Sequence, residues 1–242
     1  MNTNKKYIDQ LSIDCVVFGY THNQLKVLVP KLDFEGDFWA LPGGFILQEE
    51  GIDKAAQRIL EDRTGIKDIF LEQYGVFGEV PRNNLDLLNT LRATNEDKFS
   101  ALKLKDYTFE WLSQRFISIG YYTLVDINKV VPKLTDIDQS IDWCDIKNLP
   151  NMILDHRKQV GKALDAMCLN LDSKLLGFNV LSEKFTMKEL QHLYETVYDK
   201  SFRRSNFQKK MLDLDILDRQ EKKFTGAANK APYLYSFKQK TN

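Results

Sequence analysis

The chain of 242 residues is poor in cysteine, and the three it has, Cys15, Cys144 and Cys168, are far apart. An odd number, with no CxxC pair and no Cys/His cluster, indicates neither a disulfide framework nor a zinc site. No apolar stretch approaches the roughly 20 residues that a bilayer span requires. Residues 1–10 are polar and lead into a strand-like run rather than a signal-peptide core. The expectation is a cytoplasmic protein without a membrane partner. Net charge is also lacking, at 34 Lys+Arg against 34 Asp+Glu, but that zero hides a split. From Lys184 onward there are thirteen basic against seven acidic residues, whereas the first 183 residues carry 21 against 27. Such asymmetry suggests that one end meets a polyanion. Taken alone, charge of this kind is explained by an unevenly charged solvated surface.

What is present is an ordinary globular composition, 43% hydrophobic and 28% charged. The length has room for one large domain plus a small one. Residues 13–20 and 25–29 are β-rich and separated by Thr-His-Asn-Gln, which predicts a hairpin. Leu41-Pro42-Gly43-Gly44 reads as a turn. Residues 53–63 show helical spacing through Ala55, Ala56, Ile59 and Leu60, with Gly65 as the stop. Residues 69–77 and 116–125 predict strands. Between them, residues 83–110 are polar and weakly periodic and read as an insertion, mobile or partly helical. Residues 153–171 predict a helix leading out of the first domain.

The run from Gly44 to Ile66 resembles the Nudix box, G-x5-E-x7-R-E-U-x-E-E-x-G-U with U aliphatic. Gly44, Glu50, Arg58, Leu60, Gly65 and Ile66 fall on pattern positions, after the lead-in Trp39-Ala40-Leu41-Pro42-Gly43. The resemblance implies a Nudix-like α/β/α sandwich, with Glu50 and Arg58 as a structural pair bracing loop against helix. In that family three further box glutamates share one side of the helix through i, i+3, i+4 spacing. They hold a hard divalent cation through anionic oxygens. Here those positions are Ile59, Asp62 and Arg63. One has no ligand atom, one keeps a shorter carboxylate, and one carries a charge that cannot be removed. At 4 Å, and at an effective dielectric of about 20, a unit charge meets roughly 4 kcal/mol per opposing charge, and a dication doubles it. The expectation is no catalytic residue, no metal and no cofactor. Arg63 is left to pair with Asp62, to grip an anionic ligand or to stand as a surface charge.

From Phe185 the pattern changes. Thr186 and Glu189 form a capping box for a helix over 187–198, with Leu190, Leu193, Tyr194 and Val197 on one face. A second helix over 203–214 buries Phe207, Met211 and Leu214. Strands over 216–225 and 233–237 complete a winged helix-turn-helix. Arg203, Arg204, Ser205, Asn206, Gln208, Lys209 and Lys210 of the second helix, with Lys222, Lys223 and Lys230 of the wing, are the candidate DNA-binding residues. Arg and Asn can read guanine and adenine edges, and the lysines can neutralise phosphates. A small helical docking domain for another protein is the alternative reading of the same pattern.

Box, Asp155-His156, Phe185-Thr186, Glu189-Leu190, Asn206-Phe207 and Lys209-Lys210 together resemble the Nudix-related transcriptional regulators of bacteria, over nearly the whole chain apart from 83–110. The resemblance implies an effector-binding domain over 1–150, a linking helix within 151–180 and a winged-helix domain over 181–242. It further implies a homodimeric regulator, a repressor by expectation, that binds palindromic operator DNA. Such regulators answer to ADP-ribose or, in gut Bacteroidetes, to L-arabinose. Residues 114–122 and 39–45 are closer in texture to the arabinose-responsive branch. Candidate effector-binding residues are Lys31, Asp33, Phe38, Trp39, Glu79 and Arg115. Their acidic members suit sugar hydroxyls and would repel a diphosphate, so L-arabinose is the expected effector and ADP-ribose the alternative. A further alternative is an active hydrolase of nucleoside-diphosphate derivatives, with ligands drawn from Glu49, Glu50, Asp62 or Glu79. His156 reads as a structural residue of the linking helix.

Overall fold

A computed structural model describes residues 6–65, 67, 70–80, 82, 84–95, 109–172, 180–223 and 231–238. The first two strands, β1 (Tyr7–Thr21) and β2 (Gln24–Leu32), form the predicted hairpin. His22 and Asn23 between them both have positive φ, at 44° and 58°. That conformation makes a two-residue turn whose twist matches the strands it joins. β3 (Gly43–Leu47), helix α1 (Ile52–Thr64), β4 (Glu72–Phe77), α2 (Asn84–Thr94), α3 (Phe109–Leu112), β5 (Ile117–Asp126), β6 (Asp138–Asp145) and α4 (His156–Asn170) follow. The six strands form one mixed sheet in the order β4-β5-β1-β2-β6, with β3 paired to β1 and only β1–β5 parallel.

Central strands covered on both faces read as continuous apolar runs, and their side chains alternate between the two layers. Ile13, Cys15 and Val17 of β1, with Ile119 and Tyr121 of β5, join Ala55, Ala56, Ile59 and Leu60 of α1. Val16 and Phe18, with Tyr122 and Leu124, join Val160, Ala163 and Met167 of α4 on the other face. This is the Nudix-like α/β/α arrangement.

The second half is β7 (Phe185–Thr186), α5 (Met187–Tyr198), α6 (Arg204–Asp213), β8 (Leu217–Lys222) and β9 (Tyr233–Phe237). Its strands pair in the order β7-β9-β8, the sheet of a winged helix. Thr186 Oγ1 accepts from the Glu189 N–H while the Glu189 carboxylate accepts from the Thr186 N–H, closing the predicted capping box. The core on the α4 side continues without a break through Leu171, Leu193, Tyr194, Val197, Phe207 and Met211, so the two halves share one apolar interior. The Tyr198 hydroxyl donates to the Cys168 carbonyl at 2.8 Å across that junction.

Two expectations change, one further strand is found, and the insertion is partly helical as expected. Gly43 and Gly44 begin a strand rather than a turn, because β3 lies so close to its neighbours that only glycine fits. A Cβ at Gly43 would stand 2.9 Å from Asp14 Oδ1, and one at Gly44 2.9 Å from Ile59 Cγ1. Strand β6 is absent from the sequence reading, since its sequence DQSIDWCD is polar, as suits an edge strand. The linking helix begins at His156, after Leu154 with φ 50° breaks the run. The insertion contributes α2 and α3, while its residues 96–108 lie outside the described residues, as do Ile66 and Lys230. No described helix is long and apolar enough to cross a membrane.

Thr186→Ala removes the acceptor at the start of α5. A loss of about 1 kcal/mol is expected, seen as a lower urea midpoint at unchanged slope.

Candidate functional site

The Nudix-like box is built as a loop clamped onto a helix. Glu50 Oε1 accepts from the Leu47 N–H at 2.8 Å, and Arg58 donates to both Glu50 oxygens at 2.5 and 3.0 Å. Arg58 also donates to the Phe45 carbonyl at 2.9 Å, so one guanidinium fixes β3, the loop and α1. Its hydrogen bond holds the Glu50 carboxyl below the ordinary range.

The three positions that would ligate a metal do not converge. Ile59 is buried in the core against Gly44. Asp62 is 64% exposed, with a carboxylate oxygen 3.8 Å from Arg58. Arg63 is buried, and its two terminal nitrogens bind the fully buried Asp138 carboxylate at the start of β6, with Thr135 Oγ1 at 2.9 Å. Arg63 therefore neither pairs with Asp62, nor grips a ligand, nor stands as a surface charge. A guanidinium consumed in this way leaves a donor set that does not fit a divalent cation. Among the described residues no three His, Cys, Asp or Glu side chains come together as a metal site.

On the opposite face of the sheet lies a buried polar network that sequence reasoning missed. Asp14, in mid-β1, is 6% exposed. Its Oδ2 accepts from Ser118 at 2.5 Å, Gln159 at 2.9 Å and Arg82 at 3.0 Å. Arg82 continues to Asp155 at 3.0 Å and to the Phe116 carbonyl at 3.2 Å. His156 Nδ1 accepts from the Leu41 N–H at 2.9 Å, and Nε2 faces Asp14 Oδ2 at 3.7 Å. Nδ1 can accept only in the neutral ring. Burial, reinforced by Arg82, holds His156 below its ordinary value against the pull of Asp14 and Asp155. Burial alone would raise the Asp14 carboxyl, but His156, Arg82, Ser118 and Gln159 outweigh it and hold it low. With His156 neutral, Arg82 is the lasting positive partner. The signal in sequence was a lone aspartate inside an apolar strand.

The candidate effector residues fall into two groups. Lys31, Asp33, Phe38 and Trp39 lie on β2 and the turn after it. There Trp39 pairs with Lys31 and Met152. Its indole donates to Asp37 at 2.7 Å, and the Lys31 ammonium lies 5.6 Å from its ring. Glu79 and Arg115 lie elsewhere, at the end of the β4–β5 pair where Phe77 meets Ser118. β4 is three strands from β2, roughly 14 Å. Glu79 is exposed and bound to Lys158 of α4 at 2.6 Å, and Arg115 is exposed. Beside Arg115, Trp111 of α3 packs edge-on against Phe45 and Phe116 at 4.8 and 4.9 Å. That aromatic group was not anticipated.

In the winged helix, Phe207 and Met211 bury one face of α6. Ser205, Asn206 and Lys209 stand exposed on the other, with Arg203 and Arg204 at its start. Gln208 is half-buried. Lys210 turns back to Asp172 at 2.6 Å, and Lys223 lies 3.5 Å from Glu189. Lys222 and the unanticipated Arg219 lie over the Tyr233 ring, at 5.3 and 3.3 Å from its centroid.

Residues 177–237 match the family described as the NrtR DNA-binding winged helix domain. The chain is 21% identical over 234 residues to the "ADPR responsive transcriptional repressor NtrR" of Acinetobacter baylyi, covering 94% of this chain and 81% of that protein. NrtR of Shewanella oneidensis, solved alone and complexed with a 27mer DNA, superposes with TM-score 0.69 at 22% identity, over 95% of this chain and 94% of that one. A MutT/nudix family protein from Enterococcus faecalis gives TM-score 0.66 at 17% identity, over 98% and 90%. The fold is thus a Nudix-like α/β domain followed by a winged helix. The likenesses support the resemblance to Nudix-related regulators, and they do not confirm its arabinose-responsive branch.

Arg63→Met leaves Asp138 buried and unpaired, and a loss of about 3–5 kcal/mol is expected in urea denaturation. Arg63→Met with Asp138→Leu should recover most of it. Acid is expected to weaken the fold through His156. The unfolded ring takes a proton as pH falls below about 6.5, whereas the folded ring resists it. Stability is therefore full above that value and declines below it until the depressed folded pKa is passed. In His156→Asn, whose Oδ1 can accept the Leu41 N–H, melting temperature between pH 6.5 and 5 should flatten. Asp14 adds a separate loss only below about pH 3.8, as its depressed pKa is crossed.

Proposed function

We propose that the chain is a DNA-binding transcriptional repressor whose Nudix-like domain senses ADP-ribose, or a closely related nucleoside diphosphate, without cleaving it. The observation that carries the DNA reading is the exposed face of α6. Ser205, Asn206 and Lys209 project from a helix whose opposite face is locked by Phe207 and Met211. A rigid helix presenting amide, hydroxyl and ammonium groups suits the major groove. The match of residues 177–237 to a DNA-binding winged helix agrees with it.

ADP-ribose replaces L-arabinose as the effector for two reasons. The similar Acinetobacter protein is named as an ADPR responsive repressor. Of the acidic residues taken to repel a diphosphate, Glu79 is also not a free charge, since it is tied to Lys158. The absence of cleavage rests on Ile59, on Asp62 and on the commitment of Arg63 to Asp138. A homodimer would present two α6 helices to a palindromic operator about 34 Å apart, one DNA turn. The cytoplasm, where such an operator and nucleotide occur, is the matching location.

The test pairs ligand binding with DNA binding. ADP-ribose, and not L-arabinose, should raise the melting temperature, by the equivalent of about 2.7 kcal/mol at a hundredfold excess over Kd. ADP-ribose incubated with protein and magnesium should stay intact. Binding to operator fragments should weaken with salt, and Lys209→Ala should flatten that dependence by about one unit of slope. Magnesium-dependent turnover of ADP-ribose, abolished by Asp62→Asn, would restore the hydrolase reading.

A further inference from the structure

We infer that Lys210, although it belongs to the basic helix α6, is a positioning residue for that helix and not a phosphate contact, with Asp172 at the end of α4 as its partner. The inference rests on the DNA-binding reading above and refines it. Lys209 and Lys210 are adjacent in sequence, yet neighbouring helical residues point about 100° apart. Lys209 shares the outward face with Ser205 and Asn206, and Lys210, one turn after Asn206, stands exposed at the margin of that face with its ammonium turned to Asp172. Lys210 Nζ lies 2.6 Å from Asp172 Oδ2 and 5.8 Å from the centre of the Tyr194 ring.

The groups around this pair show why the ammonium stays. Asp172 Oδ1 is buried with no hydrogen-bond partner among the described residues, and the Lys210 ammonium is the positive charge the structure places against that carboxylate, beside the Tyr194 phenol. Burial and the Asp172 carboxylate push the Tyr194 phenol far above its ordinary value, so it remains neutral. Tyr194 in turn packs edge-on against Phe207 at 5.2 Å, the residue that seats α6 on α5. Phe207 and Met211 therefore fix how deeply α6 is seated, while Lys210 ties its flank to the linking helix.

That tie has a second end. α4 spans 15 residues, about 22 Å, and its first turns carry His156 and Gln159 of the Asp14–Arg82 network. One helix thus holds the sensor's buried polar network at its start and the recognition helix just past its end. Any shift of α4 is passed to α6 through the Asp172–Lys210 contact and the shared apolar core.

The test uses the full-length chain and a labelled duplex selected from a random-sequence pool by the wild type. Affinity is measured by fluorescence anisotropy across a salt series, and a thermal melt shows that each variant is folded. Lys210→Met and Asp172→Asn should each weaken binding about three- to fivefold, as expected for a partly exposed ion pair, with the wild-type salt slope retained. The charge reversal Asp172→Lys with Lys210→Asp should restore most of the loss. Lys209→Ala serves as the contrast, losing about 0.9 of slope. The inference is overturned if Lys210→Met loses that same slope, or if Asp172→Asn binds as tightly as wild type or tighter. If the wild type selects no duplex, the DNA-binding reading itself fails, and that is visible before any variant is compared.

Discussion

A carboxylate in the middle of an apolar strand is the constraint around which the Nudix-like half is arranged. Unpaired, Asp14 would cost several kcal/mol to bury. Ser118 from β5, Arg82 from beyond β4 and Gln159 from α4 each donate to it. Each donor belongs to a different element, so satisfying one carboxylate aligns the parallel β1–β5 pair, fixes the chain leaving β4 and seats the covering helix. Gly43 belongs to the same constraint, since any larger residue there would meet the Asp14 carboxylate. Hydrophobic burial supplies most of the driving force for such a sandwich, but it is non-directional. The polar network specifies which way α4 lies.

The degenerate box follows a related logic. Glu50 and Arg58 keep the loop-on-helix clamp that shapes the fold. Two helical positions that would face a cation have been turned to structural use. Ile59 fills the space above Gly44, and Arg63 neutralises Asp138 at the root of β6. These substitutions do more than remove ligands. They attach α1 more firmly to the sheet, and a buried ion pair of this kind is costly to break from either side.

Much of this was legible in the sequence, and the pattern of success and failure is physical. The hairpin at His22-Asn23, helix α1 with its Gly65 stop, and the Thr186–Glu189 capping box rest on local rules, and each is found close to its expected place. The winged-helix order was readable for the same reason. What escaped was set by distant partners. β6 carries too little apolar character to announce itself, because an edge strand beside solvent does not require it. The turn at Gly43 became a strand because pairing with β1 is a tertiary event. None of the roles open to Arg63 included its actual partner, because Asp138 lies 75 residues away. The Arg82–Asp14 contact is hidden for the same reason, its partners being 68 residues apart. For the candidate sites, helical spacing identified the outward face of α6 but not the ion pair that Lys210 makes with Asp172. The sequence did not show that Glu79 and Arg115 lie at the end of the β4–β5 pair while Lys31 lies on β2.

The shared interior bears on how a signal could cross the molecule. Separate cores joined by a flexible linker would let the winged helix move freely, and ligand binding in one half would say little to the other. Here Met167 and Leu171 of the linking segment are buried among Leu193, Tyr194 and Val197 of the winged helix. Close-packed interiors resist continuous deformation and respond by discrete repacking. On the proposed function, an effector can alter DNA affinity only by its difference in affinity for two such arrangements, about 1–3 kcal/mol for a 5- to 150-fold response. The element best placed to have two arrangements is α4. It is held by polar contacts at its start and by a half-exposed ion pair past its end, with an apolar stripe between packed against the sheet. Polar contacts at both ends give such a helix defined stopping points, which turns a small shift near β4 into a different attitude of α6.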